Sequence, residues 1–547
     1  MNKKYIIALM VPVISLFVGC EDKLDTQPEG SIITSDQKEE VVSKDPDKAV
    51  AGVNAIFAQF SQYMPNEDAI GAERHNDFGY PSVMLFTDAN GYDVVSEDNG
   101  YNWTGNSLDY SDRDYTSYES QIIWNDMYSM IYAANNVIAN IPADVEDPTS
   151  QFYLAQGLAT RAFNYWVLAQ LYQFKYVGHQ QEPCVPIITD ENAEVAAQNG
   201  TPRSSVEEVY SLISSDISAA LELLESAKQS GITRTVITEK AEDKRFFSLY
   251  VAYGLRARIN LSMEKWTEAA ADATKAIENA MADGVSPAGI SDVSKPSFWT
   301  MDEPNWMWGI KIAETDDVVT SGIVNWLSHM GSLNYGYAWY SKGKQINKAL
   351  YETIEEDDVR KGWWLDEYQE SPNLNNAYEG IIADYDFAPF TQVKFAPYNE
   401  EAGSSTNASD IPLMRIEEMY LIKAEAQAKG GAPDAGKTTL EEFVKAYRNP
   451  AYVCEATSPD GIQEEVFRQR RIELWGEGLN WFDVMRLETG VDRRGGGFPN
   501  ATMVFNIAPD DPILLWRIPE SEIQANPGLS EGDNNPSVPA PEPVADL

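Results

Sequence analysis

Hydrophobic positions first recur at helical spacing after Asp45 and Pro46, a capping residue followed by a proline suited to a first helical position. Val50, Val53, Phe57 and Phe60 form the stripe. Periodicity is then lost from 63 to 119, where Gly, Asp, Asn, Ser and Tyr dominate. That stretch is too aromatic for a disordered tail and too long for a connector, so a long ordered loop with a functional role is expected there. Helical stripes return over 120–280. Trp124, Met127, Ile131, Asn135 and Ile138 make one, stopped by Pro142, and Leu154, Leu158, Ala162 and Trp166 make the next. Ser204-Ser205-Val206-Glu207-Glu208 offers a capping box in either register, heading a helix through Val209, Ile213, Ile217, Leu221 and Leu224. From 282 to 411 the helical pattern fades and aromatics crowd in. Trp306, Trp308, Ile310 and Ile312 alternate as one face of a strand, and the two tryptophans read as core. Helical patterning resumes over 412–487. The residues from 526 to 547 are Pro-rich, acidic and short of apolar groups, and are expected to be poorly ordered.

Tyr253 and Ala257, followed by Trp266, Ala269, Ala273 and Ala276, set small residues where two antiparallel helices can approach closely. The pattern resembles a tetratricopeptide (TPR) helix pair, although any hairpin with an alanine-rich seam gives the same spacing.

The amino terminus changes the setting. Lys3 and Lys4 precede an apolar run over residues 5–18, too short for a comfortable permanent span and right for an export signal. It ends at Gly19-Cys20, which resembles a bacterial lipobox, with Phe17 where that pattern usually has Leu. Residues 1–19 are therefore expected to be a signal peptide, Cys20 an acylated (palmitate-bearing) first residue, and 20–34 a flexible tether. Two or more acyl chains hold a protein stably on a membrane.

Composition narrows the ligands. With 85 acids against 41 Lys and Arg, the chain carries a formal charge of −44. Such a surface repels nucleic acid and anionic headgroups. After Cys20 only Cys184 and Cys454 remain, too few for a disulfide framework, and their pairing stays open. His75, His179 and His329 have no ligand-spaced neighbour, so neither a metal nor a cofactor is expected. The acidic clusters Glu97-Asp98-Asn99 and Asp109-Asp112-Asp114 have the donor type of a Ca²⁺ site but read as solvated loop. Gly431-Ala-Pro-Asp-Ala-Gly436-Lys437-Thr438 matches a phosphate-binding loop, yet helical spacing precedes it where that loop needs a strand. It reads as a turn between two helices. No nucleophile elbow, zincin motif or complete EF-hand is present, and no carboxylate pair stands out, so no catalytic residue is assigned.

Aromatics on polar loops are what saccharide capture requires. Pyranose C–H faces lie on Trp and Tyr rings while hydroxyls meet polar side chains. Tyr101, Trp103 and Asn106 lie in such a context, and Trp326, Tyr337, Trp339 and Tyr340 in a second. These are the candidate ligand residues.

The block Arg471-Ile-Glu473-Leu-Trp-Gly-Glu477-Gly478-Leu-Asn-Trp481-Phe482-Asp483-Val-Met-Arg486 resembles the R-R-x-E-L-x-x-E-G-x-R-W-F-D-L-x-R signature of the SusD/RagB family, with Asn480 in place of Arg. Pro412-Leu413-Met414-Arg415 with Ala424-Glu425-Ala426 resembles a second family block, and Ile518-Pro519 with Asn526-Pro527-Gly528 a third. Physically the first block reads as scaffold. Glu464 and Arg468 form an i,i+4 pair, the other charges suit an internal network, and Trp481-Phe482 fills space between helices.

The resemblance implies a mainly α fold, a TPR-like scaffold over 120–280 and 412–487 within a 35–525 domain. It also implies a loop-rich ligand lobe with a few short strands over 63–119 and 282–411. It further implies a non-enzymatic, lipid-anchored protein on the outer face of the outer membrane. Such a protein captures oligosaccharides and delivers them, as a lid, to a SusC-like TonB-dependent transporter. Peptide capture, as in the RagB branch, and surface glycoside hydrolysis are the alternatives.

Overall fold

The computed structural model describes residues 49–64, 75–97, 103–238, 240 and 243–547. Cys20, the 20–34 tether, the Asp45-Pro46 helix start and Tyr101 lie outside the described residues.

Several helix starts are fixed by side chains that satisfy the free amides of a first turn. Helix α1 (Val50–Ala58) turns Val53, Ile56 and Phe57 inward. Helix α2 (Tyr80–Asn90) lies inside the stretch expected to be loop, and every one of its residues is buried. A helix buried on all sides shows no amphipathic stripe, which is why the pattern missed it. Strand β1 (Val94–Ser96) follows. Helix α3 (Tyr118–Ala139) is capped by Ser117, α4 (Pro148–Tyr172) by Asp147 with Pro148 in its first turn, and α5 (Val206–Gln229) by the Ser205/Glu208 box. Arg161 on α4 joins all three, donating to Asn135 of α3 at 3.0 Å and to Asp216 of α5 at 2.7 Å. Helices α6 (Leu249–Ser262) and α7 (Trp266–Ala282) form the alanine-seamed hairpin, with Ala257, Ala269, Ala273 and Ala276 fully buried.

The second half alternates short elements with helices. In order come β2 (Trp306–Ile310), α8 (Trp326–Met330), α9 (Tyr337–Tyr340), β3 (Lys344–Ile346), α10 (Asn376–Tyr385) and β4 (Ile411–Arg415). Then follow α11 (Ile416–Lys429), α12 (Pro433–Tyr447), α13 (Pro459–Glu473), α14 (Asn480–Leu487), β5 (Val491–Asp492) and β6 (Asn506–Ile507). The strands pair antiparallel, β1 with β3, β2 with β4 and β5 with β6. Trp306 and Trp308 of β2 are core. The fold is mainly α with little strand.

The phosphate-loop match spans the α11–α12 connection and the first turn of α12. A Cβ on Gly436 would stand 2.5 Å from the Ala424 carbonyl oxygen, so that glycine serves close helix contact.

A buried ionic cluster locks α11, α12 and α13 to β4. Arg415 donates to Glu477 and Glu473 at 2.9 Å, and Arg448 to Glu473 at 2.8 Å. Arg360 reaches Glu473 at 3.3 Å and Lys394 reaches Glu477 at 2.7 Å. All six side chains are buried. Burial opposes ionisation of Glu473, yet the guanidiniums of Arg448, Arg415 and Arg360 hold its carboxyl well below the ordinary range. Arg468 pairs with Glu465 at 2.6 Å and not with Glu464 as spacing suggested. Arg471 reaches across the fold to Asp93 at 2.5 Å, and Asn480 donates to the same carboxylate at 2.8 Å. Trp481 is buried and Phe482 packs against Trp166 at 4.9 Å.

Two further expectations change, and the open pairing of Cys184 and Cys454 is answered. Residues 526–547, expected to be poorly ordered, are pinned by hydrogen bonds. Asn526 donates to the Thr201 carbonyl at 3.0 Å, Asn535 to the Tyr172 and Trp516 carbonyls at 2.9 and 2.7 Å, and Val544 N–H to the Val504 carbonyl at 2.9 Å. Polar side chains anchor this tail, so low hydrophobicity misread it. Cys184 and Cys454 are separate buried thiols. Asp112 is not solvated but buried, pairing with Arg113 at 2.9 Å and accepting from Asn90 at 3.0 Å. Among the described residues no cluster of acids, His and Cys could hold a metal ion.

Candidate functional site

The β1–β3 ladder, with Val94 opposite Ile346, joins the two aromatic-rich regions. Lys344 on β3, itself buried, donates to Ser96 Oγ at 3.1 Å and Thr104 Oγ1 at 3.4 Å, tying the strand to the turn that carries Trp103. Trp103 is half-buried with φ of 51°, a left-handed conformation uncommon outside glycine. Its carbonyl accepts from Asn76 at 3.0 Å, and Asn76 also donates to buried Glu119 at 3.2 Å. Asn106, one turn later and exposed, donates to the same Glu119 at 3.2 Å. One carboxylate therefore fixes both sides of the Trp103 turn.

Tyr337 approaches from the other region. Its amide donates to Ser328 Oγ at 3.0 Å, seating α9 on α8. The approach demands Gly336, where a Cβ would lie 2.7 Å from Ser328 Cα. The His75 ring stacks on Trp103 with centroids 4.4 Å apart, and its Nδ1 meets the Tyr337 hydroxyl. Below Tyr337, His329 stacks at 4.8 Å, and its Nε2–H donates to the His75 carbonyl at 2.8 Å, which sets its tautomer. Burial pushes the Tyr337 hydroxyl up to about 12, against the hydrogen bond from the Trp103 side chain. The phenol is a neutral hydrogen-bonding group at every physiological pH.

Of the candidate residues, Trp103, Asn106 and Tyr337 are thus brought into one neighbourhood. Tyr340, three residues on from Tyr337, is 46% exposed, and half-buried Tyr335 meets its ring at 6.2 Å. Lys342 and Glu97 face each other at 3.8 Å across the seam of the two regions. Two candidates change role. Trp326 is 1% exposed and packs edge-on to Phe395 at 5.0 Å, so it is core and offers no open face. Trp339 is 6% exposed, stacked on Tyr385 at 3.9 Å with its indole N–H donated to the Ser332 carbonyl at 2.9 Å; it belongs to a small satellite core with Leu365 and Ile382. Their residue type suited a platform, but short helices in irregular sequence give no stripe from which inward faces could be read. His75, His329 and Tyr335 were not assigned to the site from sequence; His75 is more than 250 residues from the other two in the chain and meets His329 only in the fold.

The arrangement presents the half-buried Trp103 ring and the exposed Asn106 and Tyr340 beside the buried Tyr337. It is suited to holding a polyhydroxylated ligand by stacking and hydrogen bonds.

Comparison with known proteins agrees in every direction. A family model described as the SusD family matches residues 275–537, and one described as starch-binding associating with outer membrane matches 51–244. SusD-like protein P38 of Formosa agariphila is 22% identical over 409 residues, 68% of this chain and 73% of that protein. SusD-like protein P2 of the same organism is 24% identical, covering 76% of this chain and 79% of that one. Among solved structures, a SusD-like carbohydrate-binding protein of Bacteroides vulgatus superposes with a TM-score of 0.70 at 24% identity, covering 91% of this chain and 98% of the other. A laminarin-binding SusD-like protein superposes with a TM-score of 0.59 at 16% identity, covering 90% and 99%.

Proposed function

Because the chain belongs to the SusD-like family, we propose that it is a non-enzymatic, surface-exposed glycan-binding lipoprotein that hands oligosaccharides to a SusC-like TonB-dependent transporter. The observation that supports this most is the Trp103–His75–Tyr337 cluster. It supplies ring faces beside the polar Asn106 and the exposed Tyr340, on a scaffold shared with carbohydrate-binding relatives. In this reading Trp103 is the stacking platform, the Asn106 amide orients hydroxyls, Tyr340 extends the ring surface outward, and Tyr337, 5% exposed with its hydroxyl engaged by His75, braces the platform from within. The family match over 51–244, described as associating with outer membrane, supports the location, and acylation of Cys20 would provide the anchor. No described helix is long and apolar enough to cross a membrane.

Calorimetry of the protein against neutral oligosaccharides should give saturable binding with the sugar recovered unshortened. Trp103→Ala should weaken it by about tenfold, the upper size of one aromatic stacking contact. Shortened products would show a hydrolase instead, and saturable binding of a peptide pool without any glycan binding would show peptide capture.

A further inference from the structure

A cavity that shares no lining residue with the Trp103–Tyr337 cluster lies beside α10. Its volume is about 1050 Å³, at the upper end of the roughly 300–1,000 Å³ common for ligand sites. The 3-10 segment Val359–Trp363, the following loop through Leu374 and α10 form its walls. Tyr368 stands at the wall with 74% of its surface exposed and its hydroxyl hydrogen-bonded to Glu367, which leaves the ring open. Trp364 is also part of the lining. It is 1% exposed, and its indole N–H has no acceptor among the described residues. A buried donor without a partner is unfavourable.

The remaining lining sets the ligand's charge. Asp357, Glu370 and Glu379 present carboxylates, while Lys361 is the one cation among the lining residues and is held by Glu356. Carboxylates accept from hydroxyls and repel sulfate and uronate. An open ring, a buried unpaired donor and an excess of acceptors fit a neutral, polyhydroxylated ligand. We propose that this cavity is a second saccharide site, selective for neutral over acidic glycan chains. The inference rests on the glycan-binding reading for the class of ligand. Helix α10 sends Tyr385 to the satellite core around Trp339, while Glu379, Ile382 and Ala383 line the cavity.

The test is fluorine NMR of the full chain labelled with 5-fluorotryptophan, with the Trp103 and Trp364 signals assigned by Trp103→Phe and Trp364→Phe. Maltohexaose, laminarihexaose and xylohexaose are the neutral probes and oligogalacturonate the acidic one. The expected result is that at least one neutral probe moves both signals with separate midpoints, and that oligogalacturonate leaves Trp364 unmoved. Tyr368→Ala should raise the Trp364 midpoint roughly three- to tenfold, the span of one stacking contact, and leave the Trp103 midpoint in place. Tyr368 is exposed, so this variant keeps the test open if Trp364→Phe fails to fold. Movement of Trp103 alone overturns the second site and leaves the first reading intact. Movement of Trp364 alone overturns Trp103 as the platform and upholds the cavity. No movement with any probe overturns both, an unchanged Trp364 midpoint in Tyr368→Ala overturns the cavity assignment, and equal response to oligogalacturonate overturns its selectivity.

Discussion

Glu473 and Asp88 show how differently two buried carboxyls can be kept. Glu473 faces three arginines, and breaking such an enclosed cluster by removing one partner leaves uncompensated charge. Arg415→Met should therefore cost about 3–5 kcal/mol, read as a lower urea midpoint with unchanged m-value. Asp88 has no such partner. Burial pushes its carboxyl up to about 8, against the hydrogen bond donated by the Gly478 amide. The folded state thus binds a proton that the unfolded chain, at its ordinary value of 3.8, releases earlier. Stability is fully present below that lower value and falls as pH rises through the window up to about 8. Asp88→Asn keeps an acceptor for Gly478 and has no proton to lose. Urea denaturation at pH 5 and pH 8 should show a smaller difference for the variant, and an unchanged difference would remove Asp88 as its source.

At the scale of elements, legibility followed exposure. Helices α5, α7, α12 and α13 have one wet face and one dry face, so stripes such as Val206, Val209, Ile213 and Ile217 could be read directly. Helix α2 has no wet face, and its Asp88 and Asn90 are as buried as Phe86, so polar and apolar residues alternate without period. The candidate rings divide the same way. Trp103 and Tyr340 keep exposed surface, whereas Trp326 and Trp339 are consumed by packing that composition cannot distinguish from a platform. The carboxyl-terminal tail was misjudged because amides hold it. Asn535→Ala would strip hydrogen bonds from the buried Tyr172 and Trp516 carbonyls and should cost about 1–3 kcal/mol. A thermal melt of that variant, lowered against the parent, checks whether the tail belongs to the cooperative unit.

For the whole molecule the decisive quantity is charge. A formal −44 over 547 residues makes the folded state repel itself, and added salt screens that repulsion. The melting temperature should rise between about 20 mM and 500 mM NaCl, where the Debye length falls from tens of ångströms to a few. Saccharide affinity, resting on ring stacking and neutral hydrogen bonds, should stay within about twofold over the same range. A steep loss of affinity with salt would mean that charge pairing holds the ligand.

The β1–β3 ladder also orders events in time. Lys344 and Ser96 are 248 residues apart in sequence, so the rings that they bring together meet only after a very long loop closes. Contacts of such separation form slowly and reward the chain late. A nascent or clipped chain with its helical hairpins already formed would still hold Trp103 and Tyr337 apart. Ligand affinity would then act as a built-in certificate of completed folding, absent from every fragment that ends before β3.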